Sequence, residues 1–177
     1  MADACASFVM DEDAFRAFYD RTARGLWAYL VRVTNDRQIA DDLLQETYYR
    51  FVRANATHES ESHRRNSLYR IATNLARDVR RKAVAGPVQI LSGDDIERAP
   101  ASVRPGAADR ISDLTTAMSQ LRPRDRAMLW LAYAEGASHG EIADVLGLRQ
   151  SSLKTLLFRA RHRLSALMEG VPGAKKR

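Results

Sequence analysis

The stretch SHGEIADVLGLRQSSLKTLLFRARHRL, residues 138–164, contains two helical patterns separated by one glycine. The first pattern ends at Gly147, a residue type favoured just past a helix because it adopts the left-handed conformation freely. Leu148 is expected to fill the corner, and Ser151 and Ser152 are expected to cap the second helix. Two short helices joined by a tight turn are typical of a helix-turn-helix, whose second helix enters the DNA major groove.

The second helical pattern has an apolar face and a basic face. Its apolar residues follow the i, i+4, i+7, i+11 spacing of one buried stripe. These residues are Leu153, Leu157, Ala160 and Leu164. On the rest of the helix, Lys154 suits base edges or phosphates, and Arg159, Arg161 and Arg163 suit the phosphate backbone. An ordinary helix with a solvated basic face has the same pattern, so the helix alone leaves DNA binding open.

The composition indicates a globular protein with two basic surfaces. The chain has 177 residues, of which 45% are hydrophobic, and its formal net charge is +6. The positive charge is concentrated in residues 58–82, at +4, and in residues 111–177, at +5, which suggests two contacts with one polyanion. The single Cys5 excludes an internal disulfide, and the four histidines lack the spacing of metal ligands, so no cofactor or metal is predicted. Without a bilayer-length apolar run or a signal-peptide pattern, the sequence predicts a cytoplasmic protein.

The N-terminal third predicts three helices. Acidic residues from Asp11 to Asp13 suit a helix start, and Gly25 is expected to interrupt that helix and so give a two-helix opening. A further helix is predicted from about Arg37 to Asn55. Its outer side carries an acidic strip, which is either a solvated face or a docking surface for a basic protein. The acidic strip consists of Asp41, Asp42, Gln45 and Glu46.

The middle of the chain alternates between polar and periodic segments. Residues 54–65 show no periodicity and predict a loop, and the helical pattern from Ser67 to Lys82 combines an apolar stripe with many cations. Residues 83–110 hold three of the five prolines and three of the nine glycines, which is typical of a flexible linker. Inside the linker, a short apolar patch is a candidate docking segment. The patch consists of Val88, Ile90, Leu91 and Ile96.

These motifs, in this order, resemble an extracytoplasmic-function (ECF) sigma factor, a two-domain member of the bacterial sigma-70 superfamily. The resemblance rests on DDLLQETYYRFVR, LYRIATNLARDVRR, LRPRDRAMLWLAYAEGASHGEIADVLGL and LKTLLFRARHRL. It implies an all-α fold with sigma region 2 at residues 11–82, a flexible linker at 83–110 and sigma region 4 at 111–168. It further implies a transcription initiation factor rather than an enzyme, which binds core RNA polymerase and directs it to specific promoters.

The resemblance also assigns partners and residues. The acidic strip would dock on the clamp helices of the polymerase β′ subunit, and the basic end of the recognition helix would face phosphates or the polymerase β flap. An anti-sigma factor is expected as a further partner. The minus-10 contacts would come from Arg64, Arg70, Asn74, Arg77, Arg80 and Arg81. The minus-35 contacts would come from Ser151, Ser152, Lys154, Thr155, Phe158, Arg159 and Arg161.

The sequence departs from the family pattern at four positions. Arg64 and Ser67 stand where the family usually has Phe and Trp, and Leu156 and Phe158 stand where Arg and His are common. These departures allow an alternative, a sigma-like protein that sequesters an anti-sigma factor without initiating transcription. The basic recognition helix speaks against that alternative. A stand-alone helix-turn-helix repressor would leave the acidic strip without a role.

Overall fold

Seven helices make up the part of the chain that the computed structural model describes, residues 11–54, 60–85 and 107–169. No strand occurs within these ranges, so the predicted all-α fold is confirmed. The helices are α1 (Glu12–Thr34), α2 (Arg37–Ala54), α3 (Glu61–Ala85), α4 (Ala107–Gln120), α5 (Pro123–Tyr133), α6 (His139–Leu146) and α7 (Gln150–Glu169).

The first helix is continuous over 23 residues, so the predicted break at Gly25 is wrong. Asp11 caps the helix as predicted, because its Oδ1 accepts the backbone N–H of Ala14 at 2.7 Å. The helix continues through the glycine because the following residues Leu26 and Tyr29 are fully buried. Their packing outweighs the cost of about 1 kcal/mol that a glycine imposes inside a helix.

Helices α1, α2 and α3 pack on one another around an aromatic core. The ring of Phe18 stacks on that of Phe51, with 5.3 Å between the ring centroids. The ring of Tyr29 meets that of Tyr69 edge-on at 5.2 Å. The buried Tyr29 hydroxyl lies 2.6 Å from the hydroxyl of Thr73, and burial raises the pKa of Tyr29 to about 12. The core therefore buries a polar phenol together with its hydrogen-bond partner.

Helix α3 starts earlier than the sequence predicts. Its first residue is Glu61, so the predicted loop is wrong for residues 61–65, while residues 55–59 lie outside the described part. Ser60 begins the helix, since its Oγ accepts the N–H of His63 at 3.1 Å. Helix α3 then runs to Ala85, and the next described residue is Ala107 at the start of α4. The sequence patch Val88 to Ile96 falls between these two points, outside the described residues.

Helices α4 to α7 form the second packed group, in which α7 contacts α4, α5 and α6. Met128 and Ile142 are fully buried at its centre. The spacing of Ile111, Leu114, Met118 and Leu121 predicts one apolar stripe on the first helix of this group. Met118 and Leu121 are buried, whereas Ile111 and Leu114 remain 43% and 41% exposed. Ile111 and Leu114 are only partly covered, so the predicted stripe is buried only in its C-terminal half.

The two groups of helices contact each other through α1 with α5 and through α3 with α6. The side-chain amide of Asn66 in α3 donates to Glu141 Oε1 in α6 at 3.0 Å. Arg77, about three helical turns further along α3, donates from Nη2 to the Leu146 carbonyl at 3.1 Å. Both acceptors belong to the first helix of the helix-turn-helix, so α3 rests directly against that motif.

Gly25 lies on the side of α1 that faces the second group. A Cβ atom at this position would be 3.2 Å from both the Glu135 carboxylate and the Tyr69 hydroxyl. Glu135 also accepts a hydrogen bond from Trp130 Nε1 at 3.1 Å. Burial, and then the nearby Glu135 charge, raise the pKa of Tyr69. Because Gly25 has no side chain, the Tyr69 hydroxyl of the first group and the Glu135 carboxylate of the second group can lie against α1 and contact each other.

Candidate nucleic-acid and protein interfaces

The turn between α6 and α7 has the geometry predicted for a helix-turn-helix. Ser138 and Glu141 form a capping box at the start of α6, in which each side chain accepts the other residue's backbone N–H, at 3.3 and 2.8 Å. Gly147 ends the helix in the left-handed conformation, with φ at 65° and ψ at 42°. Helix α7 begins at Gln150, so Ser151 and Ser152 lie in its first turn and the prediction that they cap it is wrong.

Helix α7 turns its apolar stripe inward and its predicted DNA face outward. Leu153, Leu157 and Ala160 are buried, as the spacing predicts. The ring of Phe158 is 53% exposed and contacts the ring of His162, with 4.3 Å between centroids. All predicted minus-35 residues are exposed, namely Ser151, Ser152, Lys154, Thr155, Phe158, Arg159 and Arg161.

Arg163 differs from the other cations of α7 because it is paired inside the domain. Its Nη2 lies 3.0 Å from Oδ2 of Asp125 in α5. The Asp125 side chain is 1% exposed, whereas that of Arg163 is 43% exposed. The separation is that of an ion pair, although neither Asp125 oxygen accepts a well-aligned hydrogen bond. Arg163 therefore holds the recognition helix against α5, a role that the helical pattern of α7 does not reveal.

The acidic strip lies on the exposed side of α2. Trp27 Nε1 donates to Asp41 Oδ1 at 2.6 Å, and Arg50 Nε donates to Glu46 Oε1 at 2.6 Å. Asp42 and Gln45 lie between these two contacts and are exposed. Ala40, Leu43 and Thr47 form the opposite, buried side of α2. The helix therefore displays a continuous polar and mostly acidic surface on a rigid support.

Four of the six predicted minus-10 residues share one exposed face of α3. They follow the i, i+4, i+7, i+11 spacing and are Arg70, Asn74, Arg77 and Arg81. Arg81 forms an exposed ion pair with Asp78 at 3.2 Å. Arg77 uses one N–H for the Leu146 carbonyl of α6, as described above. Arg80 is also exposed, but it belongs to a neighbouring face of the helix, next to the second helical group.

Arg64 does not join this face. Its guanidinium pairs with Glu61 at 2.9 Å and lies 5.9 Å from the ring centroid of Phe18 in α1. Glu61 also pairs with Arg21 at 2.9 Å. Arg64 is thus held against the aromatic core at a position where the family usually carries an aromatic side chain. The Glu61 carboxylate attracts the guanidinium as an ion pair, and the Phe18 ring attracts it through a cation–π interaction.

The described ranges, 11–54, 60–85 and 107–169, hold neither a helix that could span a membrane nor a cluster that could bind a metal ion. Within them, no helix has the length and apolar character needed to span a membrane. The same residues contain no cluster of three or more His, Cys, Asp or Glu side chains arranged to bind a metal ion. The exposed charged faces of α2, α3 and α7 are the candidate binding surfaces of the described residues.

Comparisons with known proteins cover both helical groups. The family model for sigma-70 region 2 matches residues 18–85, and the one for sigma-70 region 4 matches residues 111–164. The ECF RNA polymerase sigma factor SigL of Mycobacterium tuberculosis is 31% identical over 165 residues, which cover 90% of this chain and 92% of SigL. The chain belongs to the ECF family of RNA polymerase sigma factors. The ECF sigma factor SigM of Bacillus subtilis is 30% identical over 155 residues, covering 84% and 91% of the two chains.

Two solved structures resemble the fold over most of this chain. The sigma factor RpoE of Bartonella quintana, solved with the anti-sigma factor NepR, has a TM-score of 0.69 and 25% identity and covers 88% of this chain and 97% of its own. CnrH, solved with the cytosolic domain of CnrY, has a TM-score of 0.65 at 24% identity, with 90% of each chain covered. The second likeness concerns the fold alone.

Membership in the ECF family gives the function in outline. Sigma factors are transcription initiation factors, and this one directs RNA polymerase to promoters, so core polymerase and promoter DNA are its partners. The alternative of a sigma-like protein that only sequesters an anti-sigma factor is not favoured, because both sigma regions match and the relatives are sigma factors.

Proposed function

We propose that this ECF sigma factor binds core polymerase through the acidic strip of α2 and contacts the promoter through α3 and α7. It acts in the cytoplasm, where polymerase and DNA are found, and it needs no catalytic residue of its own. The strip docks on the clamp helices of the β′ subunit, and the basic end of α7 faces phosphates or the β flap. An anti-sigma factor is a further partner, by extension from the complex of Bartonella quintana RpoE with NepR.

One observation carries this proposal: the surface proposed for polymerase, on α2, is mostly acidic, whereas the faces proposed for DNA, on α3 and α7, are mostly basic. Asp41, Asp42 and Glu46 would repel DNA phosphates, so their surface suits a basic protein partner. The cations of α3 and α7 attract phosphates, and the two helices come from different sigma regions. A factor that reads two promoter elements while bound to a large enzyme needs both kinds of surface.

The two DNA contacts have different chemistry. Helix α7 presents small hydroxyls, Lys154 and the exposed ring of Phe158 to base edges in the minus-35 major groove, and Arg159 and Arg161 to phosphates. Helix α3 holds the melted minus-10 strand, where unstacking a base costs a few kcal/mol that pocket and backbone contacts must offset. The face formed by Arg70, Asn74, Arg77 and Arg81 supplies backbone attraction and one amide for a base.

Charge reversal in the acidic strip tests the polymerase contact. We expect Asp42→Arg with Glu46→Arg to weaken binding to core polymerase by at least about tenfold, which corresponds to about 1.4 kcal/mol. The lost Glu46–Arg50 pair is exposed on both sides and contributes little to stability. The measurement is equilibrium binding of labelled protein to core polymerase, followed by run-off transcription from fragmented genomic DNA.

The matched control reverses two exposed carboxylates elsewhere, Asp20→Arg with Glu169→Arg, and so changes the net charge equally. The control should retain core affinity, and both variants should retain the helical circular dichroism signal. Loss of affinity in the control as well would mean that net charge matters rather than the strip. Unchanged core affinity in the strip variant would refute the docking assignment.

A further inference from the structure

A strongly positive cleft of about 390 Å³ lies between the two helical groups. Four arginines line it, Arg77 and Arg80 from α3 and Arg124 and Arg126 from α5. None of the described residues that line the cleft is acidic, and most of the remaining lining is apolar. Its volume lies in the range of small-molecule and peptide side-chain pockets. The lining therefore suits an occupant that combines apolar groups with negative charge.

Arg126 shows that the positive charge is not balanced by its surroundings. The residue is only 6% exposed, and its Nε is buried without a partner among the described residues. Its terminal nitrogens donate over long distances, 3.4 Å to the Ser119 carbonyl and 3.3 Å to the Val33 carbonyl. Burial, and then the charge of Arg80, lower the pKa of Arg126. A buried guanidinium normally lies next to an anion, because an unpaired buried charge is costly.

Two of the other arginines, Arg80 and Arg124, are positioned to bind an anion that enters from solvent. Arg80 and Arg124 are exposed, and neither forms an ion pair or hydrogen bond with another described residue. They come from opposite sides of the cleft, one from each sigma region. An acidic ligand between them would relieve the repulsion among four cations and would connect the two regions.

The chain itself contains a segment of this chemistry, and the helix that precedes the segment in sequence reaches the cleft. Ala83, near the end of α3, is one of the lining residues, and α3 ends at Ala85. The sequence VQILSGDDIE, residues 88–97, follows three residues later and carries three carboxylates among four apolar side chains. At about 3.3–3.6 Å per extended residue, its acidic end can easily return to the cleft. These ten residues lie outside the described part of the chain.

We propose that residues 88–97 bind in this cleft. The apolar side chains of the segment cover the apolar lining, and Asp94, Asp95 and Glu97 face the guanidiniums of Arg80, Arg124 and Arg126. The sequence assigns Arg80 to minus-10 DNA as well, beside the face of α3 that the proposed function uses. The linker carboxylates and the DNA phosphates therefore compete for positive charge on α3. This competition rests on the proposed function, whereas the binding of residues 88–97 to the cleft is independent of it.

Hydrogen–deuterium exchange on the full-length protein tests the binding directly. In the wild type, the amides of residues 88–97 should exchange at least about tenfold more slowly than unstructured amides of the same sequence. The variant Arg80→Gln with Arg124→Gln should abolish that protection, and so should Asp94→Asn with Asp95→Asn and Glu97→Gln. The matched control, Arg24→Gln with Arg149→Gln, removes two exposed arginines that do not line the cleft and should keep the protection.

The outcomes separate the alternatives. Unprotected amides in the wild type, or equal protection in all variants, would overturn the proposal. If inorganic phosphate at millimolar concentration protects the cleft peptides equally in the wild type and the linker variant, the occupant is a small anion and the proposal is wrong. Protection of α1 and α5 peptides, measured in the same experiment, shows whether each variant is folded, and the linker variant changes no lining residue.

A second measurement keeps the two proposals distinguishable. Fluorescence anisotropy with a labelled minus-10 single strand should show tighter binding by the linker variant than by the wild type. The control for its three lost negative charges is Asp20→Asn with Asp144→Asn and Glu169→Gln, which should bind the strand like the wild type. If the exchange results are as expected but the DNA affinity does not change, the segment binds the cleft and the minus-10 role of Arg80 is refuted.

Discussion

Replacing Arg163 by methionine should destabilise this sigma factor more than replacing its partner Asp125 by asparagine. The two side chains form one ion pair, but their environments differ, since Asp125 is 1% exposed and Arg163 is 43% exposed. Methionine at position 163 leaves a carboxylate buried without a cation. Asparagine at position 125 leaves a guanidinium that still reaches water.

The magnitudes follow from this difference. Breaking a fully buried pair costs about 3–5 kcal/mol, and breaking an exposed pair costs about 0.2–1 kcal/mol. Because only one partner is buried, we expect Arg163→Met to lower the free energy of unfolding by about 2–3 kcal/mol. Asp125→Asn should lower it by about 1 kcal/mol. At about 2–4 °C per kcal/mol for a chain of this size, Tm should fall by about 4–12 °C and about 2–4 °C respectively.

The assay combines thermal unfolding with DNA binding, and Arg161 is the matched control. Arg161 is exposed on the same helix and is a proposed phosphate contact. Arg161→Met should leave Tm unchanged while reducing the salt dependence of minus-35 duplex binding by about one phosphate contact. Arg163→Met should show the reverse, with a lower Tm and the salt dependence of the wild type.

Two results would refute this reasoning. Equal losses of Tm in the Arg163 and Asp125 variants would show that the buried carboxylate is not the costly partner. A reduced salt slope without a loss of Tm in Arg163→Met would mean that Arg163 contacts DNA rather than Asp125.

Two further predictions concern the turn and the core. Gly147→Ala should lower the free energy of unfolding by about 1 kcal/mol, because φ at this position is 65° and no atom obstructs a Cβ there. Gly147→Asn should lose less stability, since asparagine tolerates this conformation better than alanine. Equal Tm values for the wild type and the alanine variant would contradict this prediction. The pKa of Tyr29 is raised to about 12, so above pH 10 the unfolded chain releases a proton that the native state keeps, and stability falls as the pH rises from about 10 through 12. Denaturant titrations of Tyr29→Phe between pH 8 and 12 should show a smaller loss than the wild type, and an identical loss would count against the buried phenol as its cause.

Apolar periodicity predicts the helices whose one face is buried and whose ends carry a local signal. The helix-turn-helix is the clearest case, since Leu153, Leu157 and Ala160 are buried and Gly147 adopts the left-handed conformation that glycine takes most readily. The start of α2 after Asp36 is another, because the Oδ1 of that residue accepts the N–H of Ile39 at 2.9 Å. In these places local propensity and tertiary packing agree.

The wrong predictions arise where tertiary contacts act against a local rule. Gly25 favours a break, but the buried side chains that follow it keep α1 continuous. Residues 61–65 are polar and lack an apolar stripe, yet Ser60 begins a helix there, a capping signal that the sequence already contained. Asp125 and Arg163 are 38 positions apart and lie on separate helices, so no periodicity within either helix reveals their pairing. The assignment of individual residues to polymerase and DNA stays a prediction.

Gly25 affects the distance between the two sigma regions without belonging to a proposed binding surface. Its lack of a side chain allows the Glu135 carboxylate and the Tyr69 hydroxyl to lie close to α1. A side chain there would act as a wedge between regions 2 and 4, graded by its size from alanine upward. The spacing of the two sigma regions can therefore be varied at this one position, in evolution or by design, while the residues of the proposed binding surfaces remain the same.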